Sequence, residues 1–148
     1  MRVLITGASG FLGYELTNKF LKNNFSVISI YNKKKPNFKK NNKLKLIKRD
    51  LIKNKLNIKC DIIVHCASIT PVNSTDGKKL YYSNLKILEN LNKFFLKIKM
   101  FFFMSTMSVY GQVGSKIITE KSKPIRPNYY GKSKLFCEKK LLDMHKKY

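Results

Sequence analysis

A tyrosine and a lysine near the end of the chain carry side chains suited to proton transfer. Tyr130 and Lys134 are four residues apart, so they share a face if this segment is helical. A phenol has an ordinary pKa of about 10, and a neighbouring ammonium group favours its phenolate form. The pair therefore predicts acid–base chemistry at a hydroxyl or carbonyl group. The spacing alone does not select it, because Tyr31 and Tyr82 also have lysine four residues on.

Three glycines at a spacing of three follow the first apolar run of the chain. The β-branched run Val3–Ile5 predicts a buried strand, and Gly7, Gly10 and Gly13 come directly after it. Between a strand and a helix, such glycines allow a tight turn, a close approach to a pyrophosphate and close packing of the helix. A helix opening at Phe11 would direct its amide N–H groups at that phosphate. The pattern predicts a dinucleotide site, and an ordinary glycine-rich turn is the alternative.

The composition indicates one globular domain with an unusual charge. The 148 residues carry a formal net charge of +23, and only three of the 31 basic residues are arginines. Nucleic-acid-binding surfaces more often use arginine for bidentate contacts, so the lysine excess favours a genomic codon bias over a specific nucleic-acid site. No apolar run is long enough to span a membrane. The three cysteines cannot all pair, which favours reduced thiols and a cytoplasmic location.

Apolar periodicity then predicts alternating helices and strands. Residues 11–23 form a helical pattern with Phe11, Leu12, Leu16, Phe20 and Leu21 apolar, and 36–45 is a polar connection. A second helix is predicted over 77–98, with Leu80, Leu85, Leu88, Leu91 and Phe95 apolar. Further strands are predicted at Val27–Ile30, Leu44–Ile47, Asp61–Ser68 and Met100–Met104, the last of them buried.

Two local patterns have sharper alternatives. His65 with Cys60 and Cys66 suggests a metal site, but alternation along a strand would place His65 and Cys66 on opposite faces. A buried structural role, with no metal, is the preferred interpretation. Phe101–Phe103 could stack on single-stranded nucleic acid, although a strand is the simpler interpretation.

Three stretches together resemble a known family. They are Thr6-Gly-Ala-Ser-Gly-Phe-Leu-Gly13, Ser105-Thr-Met-Ser-Val-Tyr-Gly111 and Pro127-Asn-Tyr-Tyr-Gly-Lys-Ser-Lys-Leu-Phe-Cys-Glu138. They resemble the extended short-chain dehydrogenases/reductases of the NAD-dependent epimerase/dehydratase family, which act on nucleotide sugars. The resemblance runs from Val3 to Glu138. It implies an α/β fold with a Rossmann-type, doubly wound parallel sheet in three α/β/α layers. Residues 1–148 would be the NAD(P)-binding domain, and the substrate-binding C-terminal half of the family would be absent.

The resemblance also implies roles for individual residues. Thr106 would hold the substrate oxygen, Tyr130 would be the acid or base, and Lys134 would hold the nicotinamide ribose. Tyr130 is preferred to Tyr129 because it lies 24 residues after Thr106, between Pro127 and Glu138. The implied cofactor-binding residues are Gly7, Gly10, Phe11, Leu12, Gly13, Asn32, Lys33, Asp50, Leu51, Cys66, Ala67, Ser68, Asn84, Tyr130 and Lys134.

The sequence departs from the family pattern in four places. Met107-Ser108 replaces the Asp-Glu of the dehydratases, which argues against dehydration. Ile87-Leu88 replaces the small Gly-Thr pair that usually follows the position of Asn84. Tyr31–Lys35 contains no acid for the adenosine ribose, which leans towards NADP rather than NAD. Asp50 fits an adenine contact and a helix cap equally well.

Three functions remain open at this stage. The first is an NAD(P)-dependent epimerase or reductase acting on a nucleotide-activated sugar. The second is a non-catalytic dinucleotide-binding module, working as a homodimer or with a partner that supplies the missing half. The third is a basic nucleic-acid-binding protein. Without the missing half, Phe101–Phe103 would also form a poorly covered sheet edge that promotes association.

Overall fold

The computed structural model describes residues 1–91, 98–114 and 117–147. The chain divides into two compact units. The first unit comprises Met1–Ser68 and Glu89–Met104, and the second comprises Ile69–Leu88 and Ser105–Tyr148. We describe each unit separately.

A parallel five-stranded sheet forms the first unit. Its strands are β1 (Arg2–Thr6), β2 (Ser26–Tyr31), β3 (Leu44–Lys48), β4 (Ile62–His65) and β5 (Met100–Phe103), in the order β3-β2-β1-β4-β5. Strand β1 pairs with β2 on one side and with β4 on the other, and its residues from Val3 to Thr6 are fully buried. A continuous apolar run is typical of a strand covered on both faces. The predicted strands and the Rossmann-type parallel sheet are confirmed.

Helix α1 (Phe11–Lys22) packs through the side that begins at Gly13. Gly13 and Thr17 are buried, and Leu16 and Phe20 contact the core cluster of the sheet. The prediction that Phe11 belongs to the apolar face is wrong, because its side chain is 87% exposed. Leu12 is also exposed. Gly13 takes the inward position at this end of the helix, which turns the two preceding residues to the outside.

Strand β5 differs from its predicted environment. It is the last strand of the sheet, and Met100 and Phe102 are 50% and 43% exposed. The prediction of a buried strand is therefore wrong, whereas the expectation of a poorly covered sheet edge is confirmed.

Two helices and one short turn carry the second unit. Helix α2 spans Gly77–Glu89, a 3-10 turn spans Met107–Val109, and helix α3 spans Tyr129–Lys147. The predicted helix over 77–98 is too long: α2 ends at Glu89, and the Asn90 side chain donates to the backbone carbonyl of Leu51 at 2.7 Å. Phe95 of that prediction lies outside the described residues. In the part of the chain that the structure describes, no helix is long and apolar enough to cross a membrane.

Candidate functional site

The glycine turn after β1 is built by close backbone contacts. Gly7 has a φ of +76°, and a Cβ placed on it would lie 2.7 Å from the amide nitrogen of Ala67. A Cβ on Gly13 would lie 2.3 Å from the carbonyl oxygen of Gly7. Both distances are far shorter than a real Cβ contact, so only glycine fits at these two positions. The turn and the first residues of α1 are thereby held directly against each other.

Gly10 is different because nothing in the chain crowds it. A Cβ on Gly10 would meet only the carbonyl oxygen of Gly7, at 3.4 Å. Its φ of −83° and ψ of 159° are open to any residue. Folding therefore does not require glycine here, whereas close approach of a ligand to the backbone does. Gly10 precedes α1 without a side-chain cap, and the first turn of α1 has no acidic residue, so the helix N-terminus suits an anion.

The end of β4 lies beside this turn. The amide of Ala67 donates to the Thr6 hydroxyl at 3.1 Å, and that hydroxyl bonds to Nδ1 of His65 at 2.7 Å. His65 is buried, so its ring serves as a structural partner of Thr6. Cys66, Ala67 and Ser68 are each partly exposed where the strand ends. The predicted passage of this backbone beside the glycine turn is what the structure has.

The end of β2 reaches the same turn. The amide of Ala8 donates to the carbonyl of Ile30 at 2.9 Å, and the Ser9 hydroxyl donates to the carbonyl of Lys34. Asn32 and Lys33 follow β2 and are exposed. The turn and the ends of β2 and β4 therefore meet at the carboxyl edge of the sheet, where open α/β folds bind their ligands.

Asp50 and Leu51 have local structural roles in this unit. The Asp50 carboxylate accepts the amide of Ile52 at 2.9 Å, which is the cap expected of an acid opening a turn. The Leu51 side chain is buried. The adenine contact implied for the pair stays a prediction.

In the second unit, Tyr130 and Lys134 lie one turn apart on α3. Nζ of Lys134 is 5.9 Å from the centre of the Tyr130 ring, within the range of a cation–π contact. Lys134 is only 3% exposed, and Tyr130 is partly exposed. Tyr129 is more exposed, and Nζ of Lys132 lies 5.5 Å from its ring. Of the two neighbouring tyrosines, Tyr130 is the one beside a buried lysine.

The start of α3 is fixed against the segment that carries Thr106. The side chain of Asn128 caps α3 by accepting the amide of Gly131 at 2.9 Å. A Cβ on Gly131 would lie 2.0 Å from the carbonyl oxygen of Ser108, so only glycine allows this approach. Thr106 caps the 3-10 turn by accepting the amide of Ser108 at 3.3 Å. The structure thus brings the Thr106 and Tyr130 segments together within this unit.

A buried network links Asn84 of α2 to the same turn of α3. Oδ1 of Asn84 accepts the amide of Ile69 at 2.8 Å, and its Nδ2 donates to the Ile69 carbonyl at 3.0 Å and to the Ser133 hydroxyl at 3.1 Å. Ser133 donates in turn to the carbonyl of Tyr130 at 2.8 Å. Sequence reasoning gave Ser133 no role, although its place directly before Lys134 was a usable signal.

A second missed contact joins the two ends of the family-like motifs. The Ser105 hydroxyl donates to the carboxylate of Glu138. Both residues were recognised only as motif positions, and their contact ties the segment after β5 to α3.

The predicted site residues therefore fall into two groups. The first unit carries the expected cofactor positions from Gly7 to Ser68, with the glycine turn as their centre. The second unit carries Asn84, Thr106, Tyr130 and Lys134.

Comparison with known proteins identifies this combination. The sequence model of the NAD dependent epimerase/dehydratase family matches residues 3–148. UDP-glucose 4-epimerase of Caenorhabditis elegans is 29% identical over 174 residues, covering 99% of this chain and 50% of that protein. A putative UDP-glucose 4-epimerase of Methanocaldococcus jannaschii is 30% identical over 151 residues, covering 92% of this chain and 48% of that protein.

Solved structures agree with these relatives. UDP-glucuronic acid 4-epimerase of Bacillus cereus, in complex with NAD, is 27% identical with a TM-score of 0.80, covering 99% of this chain and 53% of that chain. UDP-N-acetylglucosamine 4-epimerase of Methanobrevibacter ruminantium has a TM-score of 0.85 at 23% identity, which supports the fold, and it covers 99% of this chain and 51% of that chain. The chain spans about half the length of the relatives it matches. Since the family model covers nearly every residue, the chain belongs to the NAD dependent epimerase/dehydratase family.

Proposed function

We propose that this chain is the NAD-binding part of an epimerase acting on a nucleotide-activated sugar. The observation that carries the proposal is the buried Lys134 against the ring of Tyr130, in a chain that also has the open glycine turn at Gly10. Its relatives include UDP-sugar 4-epimerases, so a UDP-sugar is the proposed substrate class. When bound, NAD supplies the hydride acceptor and donor for the sugar carbon.

The glycine turn is the proposed seat of the cofactor pyrophosphate. The absence of a crowding atom at Gly10 leaves room for a phosphate, and the amides of Phe11 and Leu12 open α1 at that point. The backbone at Cys66–Ser68 and the exposed Asn32 and Lys33 flank the same turn. Asp50, Leu51 and Asn84 are proposed to complete the set.

Tyr130 is the proposed acid–base group. It would accept the proton of the sugar hydroxyl as that carbon is oxidised, and it would return the proton when the carbon is reduced. Lys134 supports the anionic form of the phenol, since its ammonium group is held nearby and away from solvent. Thr106, on the segment held against the start of α3, would orient the reacting oxygen.

NAD is the proposed cofactor rather than NADP. The Bacillus cereus epimerase structures contain NAD, and the lean towards NADP drawn from Lys33–Lys35 has no support from them. Epimerisation is proposed rather than dehydration, because Met107-Ser108 offers no carboxyl group to assist loss of water.

A non-catalytic dinucleotide-binding module is the second candidate. It is favoured by the coverage of only about half of each relative, since a substrate-binding half would have to come from elsewhere. The experiment is an assay of UDP-glucose and UDP-galactose interconversion with NAD, on the chain and on Tyr130→Phe. Turnover that the variant loses supports the enzyme, whereas NAD binding without turnover supports the module.

A further inference from the structure

The two edges of the sheet in the first unit are protected very differently. Edge strand β3 carries the exposed Lys45 and Lys48, and lysines on an edge discourage pairing with another strand. Edge strand β5 contains only Met100 and the phenylalanines 101–103. Its sequence therefore lacks the charge, proline or glycine that blunts an edge.

The side chains of β5 divide between two faces. Phe101 and Phe103 lie on the side of the buried His65, with ring centres 6.2 and 5.8 Å from its ring. Met100 and Phe102 lie on the other side and are 50% and 43% exposed. The unprotected edge is thus accompanied by an exposed apolar face.

The backbone direction of β5 shows which amides face outward. The amide of Lys99 donates to the carbonyl of Asp61 at 2.8 Å, so it points towards the β4 side. Because successive amides of a strand alternate in direction, those of Phe101 and Phe103 point the same way. The amides of Met100 and Phe102 then point to the outer edge.

We propose that the outer edge of β5 is the docking site for one further parallel strand, supplied by the half of the family fold that this chain does not span. The chain covers 53% of the Bacillus cereus epimerase, so a large part of that fold is available to supply the strand. Every pairing within the sheet is parallel, and a continued parallel sheet needs an apolar strand beside β5. The inference concerns assembly and does not depend on turnover.

A second copy of the chain is a poorer occupant. Two copies related by a two-fold axis would pair their β5 strands antiparallel, unlike the rest of the sheet. Each copy also carries a formal charge of +23, so like charges would oppose their approach.

The test joins the part of the Bacillus cereus epimerase that this chain does not cover to the end of the full chain. Amide hydrogen exchange is measured by NMR on the fusion and on the chain alone. We expect the amides of Met100 and Phe102 to exchange at least about tenfold more slowly in the fusion, because a docked strand bonds to them. The amides of Phe101 and Phe103 report the existing pairing with β4 and serve as internal references.

Phe102→Pro is the matched variant, with Phe102→Leu as its control. Proline removes only an outward amide, so the chain alone keeps its circular dichroism spectrum. In the fusion, proline abolishes the slowing at Met100, and leucine preserves it. Equal exchange of the outer amides in fusion and chain alone overturns the proposal. So does slowing in the chain alone that grows with its concentration, because a second copy would then be the occupant.

Discussion

The carbonyl oxygen of Gly7 lies 2.3 Å from the position that a Cβ on Gly13 would occupy. The turn after β1 and the first turn of α1 are therefore in backbone contact, and this contact fixes the helix N-terminus above the end of β1. Gly10 lies between the two without a comparable neighbour. The three glycines thus have separable roles: Gly7 and Gly13 build the turn, and Gly10 leaves it open.

Substituting these glycines separates folding from binding. Gly10→Ala should unfold at the same denaturant concentration as the wild type but bind NADH at least about tenfold more weakly, because its methyl group enters the phosphate space. Gly13→Ala should lose up to about 3 kcal/mol of unfolding free energy, because the methyl group collides with Gly7. Urea unfolding and NADH titration measure the two effects. Equal NADH affinity of Gly10→Ala and the wild type would contradict the assignment.

Removal of the Tyr130 hydroxyl should abolish turnover and spare cofactor binding. Tyr130→Phe should lower kcat by a factor of about 100 to 10,000, the usual range for loss of a general acid–base group. Tyr129→Phe is the matched control, because its ring lies beside Lys132 rather than Lys134. The measurement is sugar interconversion under NAD saturation, and undiminished turnover in Tyr130→Phe rejects the role.

Loss of Asn84 should destabilise the second unit. Asn84→Ala leaves the amide and carbonyl of Ile69 and the hydroxyl of Ser133 without their present partner. The expected loss of unfolding free energy is about 2 kcal/mol, since buried polar groups lose their hydrogen bonds. Asn57→Ala, at an exposed position, is the control and should change little. Equal stability of the two variants in urea would be the contrary result.

Two thiols give the stability a defined dependence on alkaline pH. Burial raises the pKa of Cys137 to about 11, against the opposing effect of Lys134, and burial together with Asp61 raises the pKa of Cys60 to about 11. Because the folded pKa values exceed the ordinary value of 9.0, the folded state holds these protons more tightly. Their contribution is complete below pH 9 and is lost as the pH rises towards 11.

Cys137→Ala isolates one thiol of this pair. The unfolding free energy of the wild type, measured in urea at several pH values above 8, should fall more steeply with pH than that of the variant. Parallel profiles for the two proteins would show that Cys137 does not resist ionisation.

The local motifs could be predicted because their requirements are written in adjacent residues. The turn from Gly7 to Gly13 and the helix from Tyr129 depend on glycine conformations, a proline–asparagine start and helical spacing. Met100 and Phe102 could not be placed, because an apolar strand in the middle of a sheet and one at its edge have the same sequence pattern. Only the strand order distinguishes them.

Long-range polar contacts escaped prediction for a related reason. Ser133 binds Asn84, 49 residues earlier, and Glu138 binds Ser105, 33 residues earlier. The end of α2 was misplaced because Asn90 turns to the Leu51 carbonyl, 39 residues before it. Such partners are set by the fold rather than by neighbouring residues.

The most direct test of the central claim is a titration of the chain with NADH and, separately, with NADPH. Nicotinamide fluorescence is followed at near-physiological salt, so that the +23 charge does not by itself hold the anion. The account predicts saturable binding of one NADH per chain, weaker binding of NADPH, and unchanged NADH affinity in Tyr130→Phe. A folded chain without saturable NADH binding would contradict the account, because the glycine turn would then hold no cofactor.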